Sequence, residues 1–137
     1  MRTVFVTGAA GFIGANLCYE LIRQKYNVIG LDNINNYYDI TLKNARLKRI
    51  NNFTKKNNLG WKFIKGDIEN KNFLEEIFKN FRPEVVIHLA AQAGVRYSIK
   101  NPSVYVSTNL TGFNNVIECC RNSLIKNFIC ASSSSVY

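Results

Sequence analysis

Thr7-Gly8-Ala9-Ala10-Gly11-Phe12-Ile13-Gly14 decides the fold of this chain. It follows a short apolar run, Thr3 to Thr7. It opens a stretch with apolar residues at Ile13, Leu17, Leu21 and Ile22, which is helical spacing. A strand that turns through glycines into a helix is the first unit of a dinucleotide-binding sheet. Gly8 permits the tight turn, Gly11 lets backbone approach a pyrophosphate, and Gly14 lets helix and strand pack closely. The helix start at Phe12 and Ile13 offers free N–H groups and the positive end of a dipole to phosphates.

The next element supports this reading. Asn27 to Leu31 forms a second strand, and Asp32 stands at its end, eighteen positions after Gly14. A carboxylate there accepts hydrogen bonds from both hydroxyls of an adenine ribose and repels a 2′-phosphate. The cofactor expected is therefore NAD, with Asn33 beside the ribose. The plainer alternative is a tight turn followed by a chance aspartate.

Strand and helix patterns alternate along the rest of the chain. Tyr38 to Phe53 reads as a helix and Trp61 to Lys65 as a third strand, after a turn at Asn57-Asn58-Leu59-Gly60. Phe73, Leu74, Ile77, Phe78 and Phe81 form a helical stripe that Pro83 closes. Glu84 to Leu89 is a fourth strand, whose Val85-Val86-Ile87 suits burial on both faces. Pro102 starts a helix running to Asn122, with Val106, Leu110, Phe113, Ile117 and Cys120 as its apolar face. Asn127 to Ala131 is a fifth strand. Such alternation predicts an α/β fold: a doubly wound parallel Rossmann sheet of five strands in the order 3-2-1-4-5, helices on both faces. Residues 1–137 read as one NAD-binding domain, without internal repeats.

Composition narrows the function classes. The formal net charge is +9. Many basic residues fall between Lys43 and Lys56, where they alternate with Leu42, Ala45, Leu47 and Ile50. That pattern predicts an amphipathic helix with a solvated basic face. A nucleic-acid role would need a recognisable module or a stacking platform, and neither is present in the sequence. No apolar run is long enough to span a membrane, and the first residues lack a leader pattern, so a cytoplasmic protein is expected. Cys18, Cys119, Cys120 and Cys130 lack metal-ligand spacing. They read as buried or half-buried thiols, with Cys119 and Cys120 on different faces of their helix.

The GxxGxxG spacing, with Thr7 before it and Phe12-Ile13 inside it, resembles the extended short-chain dehydrogenase/reductase family of NAD-dependent epimerases and dehydratases. The resemblance continues at Gly66-Asp67-Ile68, and implies that Asp67 and Ile68 meet the adenine. Asp67 reads equally well as a helix cap. In His88-Leu89-Ala90-Ala91-Gln92-Ala93-Gly94-Val95-Arg96, the family pattern places Leu89, Ala90 and Ala91 against the dinucleotide, and Gln92 and Arg96 towards the substrate. His88, the only histidine, reads as a satisfied core residue rather than a base. Asn109 matches a family asparagine that supports the cofactor; otherwise it is an ordinary helix surface residue.

Ala131-Ser132-Ser133-Ser134-Ser135-Val136-Tyr137 resembles the family's serine-rich strand end. The resemblance makes Ser133 the catalytic hydroxyl that bonds the sugar hydroxyl being oxidised; the alternative is a polar loop. Leu31 to Asp39, Ala90 to Ser98 and the four serines look like the UDP-glucuronate 4-epimerase branch. Dehydratases carry Asp-Glu where Ser134-Ser135 stand. The family base is a tyrosine in a Tyr-x-x-x-Lys motif, whose lysine lowers the phenol pKa. No tyrosine of this sequence has a lysine four positions later.

The resemblance thus implies the cofactor half of a nucleotide-sugar epimerase, inactive alone. Its implied partners are a UDP-sugar substrate and a second copy paired through the 102–122 helix. Two other readings stand beside it. One is a stand-alone NAD-binding module; the other is part of a dehydratase or decarboxylase acting on a nucleotide sugar.

Overall fold

A computed structural model describes residues 1–137. Five strands, β1 (Thr3–Thr7), β2 (Asn27–Asp32), β3 (Trp61–Lys65), β4 (Val85–His88) and β5 (Asn127–Cys130), form one sheet in the order β3-β2-β1-β4-β5. Every adjacent pair is parallel; Phe5 lies opposite Ile29 on one side and Val86 on the other. Parallel neighbours require crossovers, and the helical segments supply them. These are α1 (Phe12–Arg23), α2 (Ile40–Asn57), α3 (Lys71–Phe81), α4 (Val95–Lys100), α5 (Pro102–Tyr105) and α6 (Phe113–Arg121).

Alternation along the strands divides the core in two. Val4, Val6, Val28 and Ile87 pack with Ala15, Cys18 and Ile22 of α1 and Ile50 of α2. Phe5, Ile29, Leu31 and Val86 pack with Leu74, Ile77 and Phe78 of α3 and Val116, Cys119 and Cys120 of α6. Both faces of the central strands are dry, which is why they are almost uniformly apolar.

Two helices depart from their expected patterns. On α2 the buried positions are Lys43, Leu47, Ile50 and Thr54, a continuous stripe one turn apart. Leu42 is 50% exposed and Ala45 is also exposed, whereas Lys43 is only 5% exposed. Leu47 and Ile50 face inward as their apolarity predicts, but Lys43 takes the place expected for Leu42, because a lysine with partners can occupy the inner stripe. The helix expected over 102–122 is interrupted by a π-helical segment, Val106–Gly112. That wider turn changes the helical phase, so the core face is Gly112, Asn115, Val116, Cys119 and Cys120. Val106 and Leu110, expected in the core, are 54% and 64% exposed.

Smaller corrections follow from the same geometry. Cys119 and Cys120 enter one core cluster rather than different faces, since neighbouring helix positions both fit within a broad apolar face. Cys130 is exposed, because the outer part of β5 lacks cover. The cap of α3 is Asn70, whose side chain accepts from Phe73 N at 3.1 Å; Asp67 is not the cap. Pro102 starts α5 at its first turn, as its missing N–H favours. No helix is long and apolar enough to cross a membrane.

Candidate functional site

The carboxyl ends of β1 to β4 open into a cleft of about 290 Å³, lined among others by Gly8, Gly11, Asp32, Asn33, Asp67, Ile68, Leu89, Ala90, Ala91 and Gln92. Strand order reverses between β1 and β4, so their two loops diverge and leave a crevice.

The floor is set by Thr7. Its hydroxyl oxygen accepts from Leu89 N and Ala90 N, both at 3.1 Å. Its lone pairs are then engaged, so its hydrogen donates to His88 Nδ1 at 2.7 Å. That pairing assigns the His88 proton to Nε2. Burial pushes the His88 pKa down to about 4. Held neutral and bonded, His88 is the structural histidine its sequence setting predicted.

The glycine turn fits a dinucleotide. Gly8 has φ of 70°, and a Cβ there would lie 2.8 Å from the Leu89 carbonyl carbon. A Cβ on Gly14 would collide with the Gly8 carbonyl oxygen. These two glycines let strand, turn and helix close together. No side chain caps α1, and its first-turn N–H groups have no earlier helical carbonyl to reach. The Phe12 and Ile13 side chains point out, 72% and 64% exposed, so any contribution at the turn comes from their backbone.

Asp32 sits across from this turn. Its Oδ2 accepts from Ala10 N at 3.0 Å and its Oδ1 from Ile34 N at 2.8 Å. Each oxygen keeps acceptor capacity for a ribose hydroxyl. Lys43 Nζ lies 3.9 Å from Asp32 Oδ1 and donates to Asn35 Oδ1 at 3.0 Å and Asn35 O at 3.2 Å. Asn33 Nδ2 donates to Asp67 Oδ2 at 3.1 Å, joining the ends of β2 and β3. Asp67 Oδ1 accepts from Glu69 N, and Ile68 is packed into the core while reaching the cleft.

The opposite wall depends on Asn109, in the π segment. Its Oδ1 accepts from Gln92 N at 2.8 Å and its Nδ2 donates to Gln92 O at 3.0 Å. The amide imitates a strand neighbour and fixes the Ala90–Ala93 backbone beside the cleft. Gln92 is buried, with its Nε2 donating to Ala93 O. The structure thus gathers most expected residues at one crevice; Phe12, Ile13, Gly14 and Asn109 support its walls without lining it, and Arg96 and Ser133 lie apart from it. Arg96 is exposed on α4; Ser133 is exposed beyond β5, where its Oγ accepts from Ser135 N.

Sequence reasoning missed Lys43, Asn35, Tyr37, Tyr38 and Thr108, all of which line the cleft. The available signal was Lys43 itself, whose spacing to Leu47 and Ile50 places it on the buried stripe.

A parallel sheet with a glycine turn at its switch point and an acidic residue ending the second strand defines a Rossmann-type nucleotide-binding fold. The sequence matches the family described as GDP-mannose 4,6 dehydratase over residues 5–137, and the chain belongs to that family of NAD-dependent epimerases and dehydratases. It is 51% identical to Protein CapI of Staphylococcus aureus over 136 residues, covering 98% of this chain and 38% of that protein. It is 45% identical to a UDP-glucuronate 4-epimerase of Thermodesulfobacterium geofontis over 137 residues, covering 100% of this chain and 41% of that protein. The chain therefore spans well under half the length of these relatives. A UDP-glucose-4-epimerase from Stenotrophomonas maltophila, crystallised with NAD and formylated UDP-arabinopyranose, superposes with a TM-score of 0.84 at 26% identity, covering 100% of this chain and 38% of that one.

Proposed function

We propose that residues 1–137 form the NAD-binding portion of a nucleotide-sugar epimerase, with UDP-glucuronate as substrate. The observation that carries the cofactor reading is the placement of the Asp32 carboxylate against the Gly8–Gly11 turn in one cleft. The turn would hold the pyrophosphate through backbone N–H groups, Asp32 the adenine ribose, and Asp67 and Ile68 the adenine edge. Asn109 keeps Ala90, Ala91 and Gln92 in place on the other side. When bound, NAD would supply a hydride acceptor for C4 of the sugar and return that hydride to the opposite face.

The family pattern gives Ser133 the hydrogen bond to the 4-hydroxyl, and Gln92 and Arg96 substrate contacts. Ser134 and Ser135, where dehydratases carry Asp-Glu, favour epimerisation over dehydration. The relatives named UDP-glucuronate 4-epimerase support the same substrate. No Tyr-x-x-x-Lys occurs in these residues, so the chain by itself lacks a proton acceptor of the family type. Val106 and Leu110, apolar and exposed, support pairing with a second copy through the 102–121 helical run. Three buried unpaired thiols accord with a reducing cytoplasm.

The test has two parts. NAD should raise the thermal midpoint of the chain, and Asp32→Ala should remove most of that rise; equal responses would sink the ribose assignment. Incubation with UDP-glucuronate and NAD should yield no UDP-galacturonate from these 137 residues alone.

A further inference from the structure

The loop after β2 and the loop after β4 touch beyond the strand ends, joining the two walls of the cleft. Tyr37, from the first loop, packs its ring 5.1 Å from that of Tyr97 on α4. Tyr97 lies 6.2 Å from Tyr105 on α5. The Tyr105 hydroxyl donates to Ala93 O at 2.8 Å, and Asn101 Nδ2 donates to Tyr97 Oη at 3.3 Å. Between these rings Gly94 adopts φ of 98°, and a Cβ there would collide with the Tyr37 hydroxyl. Tyr37 and Ala93 line the cleft, whereas Tyr97 and Tyr105 stand behind them.

We propose that Tyr37, seated on Gly94 and packed on Tyr97, is a clasp that closes the cleft over its dinucleotide and limits release. The inference rests on the dinucleotide reading of the cleft. Its two halves come from loops far apart in sequence, and no other hydrogen bond or ion pair joins residues 33–39 to residues 91–97. The β2 loop is fixed at its base by Lys43 and the β4 loop by Asn109, so only the aromatic contact needs to part for passage. A cofactor that must accept and return a hydride within one turnover gains from slow exit. Parting of the clasp would then set the dissociation rate.

The test follows NADH release by fluorescence after mixing with excess NAD. Tyr37→Ala should speed release about three- to tenfold, the scale of a lost aromatic pair, with association also faster. Tyr97→Ala should do the same without altering the cleft lining, and the double variant should add little to either. Tyr37→Phe should stay within about twofold of the parent, since the ring contact remains. Without ligand Tyr37→Phe should keep the parent's thermal midpoint, and the alanine variants should lower it by only a few degrees, roughly the worth of one aromatic pair. NADH binding with unchanged release from Tyr97→Ala overturns the clasp alone, as does a loss of affinity carried only by slower association. Absence of any NADH binding by the parent chain overturns the dinucleotide reading and the clasp with it.

Discussion

Lys43 Nζ stands 3.9 Å from Asp32 Oδ1, and both side chains are almost wholly out of water, at 6% and 7% exposure. This is a different object from the surface ion pairs, such as Arg23 with Glu20, whose partners are half exposed. Solvent screens the surface pair and leaves it worth little, whereas removal of one member of a buried pair strands the other.

Lys43→Met should therefore cost about 2–4 kcal/mol of folding stability, less any relief from the backbone N–H groups that also hold Asp32. Urea unfolding measures it. Asp32→Asn in the same chain should recover part of the loss, since the uncompensated charge is then gone. A Lys43→Met chain as stable as the parent would show that the pair carries no net energy.

Gly14→Ala tests the close approach of helix and turn. The new Cβ meets the Gly8 carbonyl, which is backbone and cannot rotate aside. We expect a loss of about 1–3 kcal/mol, the usual range for overpacking, together with weaker NAD protection. Ala15→Gly, one position on, should lower stability without affecting that protection.

Acid stability should carry the signature of His88. The folded chain holds this imidazole near pKa 4, well below its ordinary 6.5, because burial disfavours the cation. The unfolded chain therefore binds the proton more readily. Stability is intact above about pH 6.5 and declines as pH falls towards 4, by roughly 3 kcal/mol in all. His88→Gln keeps an acceptor for Thr7 and should flatten that slope. The lowered carboxyls of Asp39, Glu84 and Glu118, held down by their hydrogen bonds, add an acid slope of their own that persists in both proteins.

Asn115 is the most demanding polar residue of the α6 core face. It is buried, and its Nδ2 donates to Ile68 O at 3.0 Å and to Glu69 O at 3.1 Å. Asn115→Leu leaves those carbonyls without their donor and should destabilise by about 1–3 kcal/mol. Because Ile68 borders the cleft, NAD affinity should fall as well. Urea unfolding reads the stability loss, and isothermal titration with NAD reads the affinity.

Much of this architecture was legible in the sequence because its signals are local. Gly8, Gly11 and Gly14 announce the turn, and Val85-Val86-Ile87 announces a strand covered on both sides. Asp32 announces the ribose side, since its distance from the turn is set by one helix and one strand. What could not be read depends on partners elsewhere in the chain. Lys43 looks like a surface lysine until Asp32 and Asn35 are placed beside it. Asn109 stands out through the family pattern, but its pairing with Gln92 emerges only once the π segment places its amide there. The short helix α4 escaped notice because Val95–Lys100 buries none of its residues and so leaves no periodic stripe.

The bonds that complete the glycine turn reach far along the chain. The two N–H groups that the Thr7 hydroxyl receives belong to Leu89 and Ala90, a separation of up to 83 positions. A nascent chain can pair β1 with β2 long before that, but its nucleotide cradle has no second side until β4 has emerged. The turn after β1 thus becomes rigid only after β4 is made, although β1 can pair with β2 much sooner. Contacts of such span also slow refolding in the test tube.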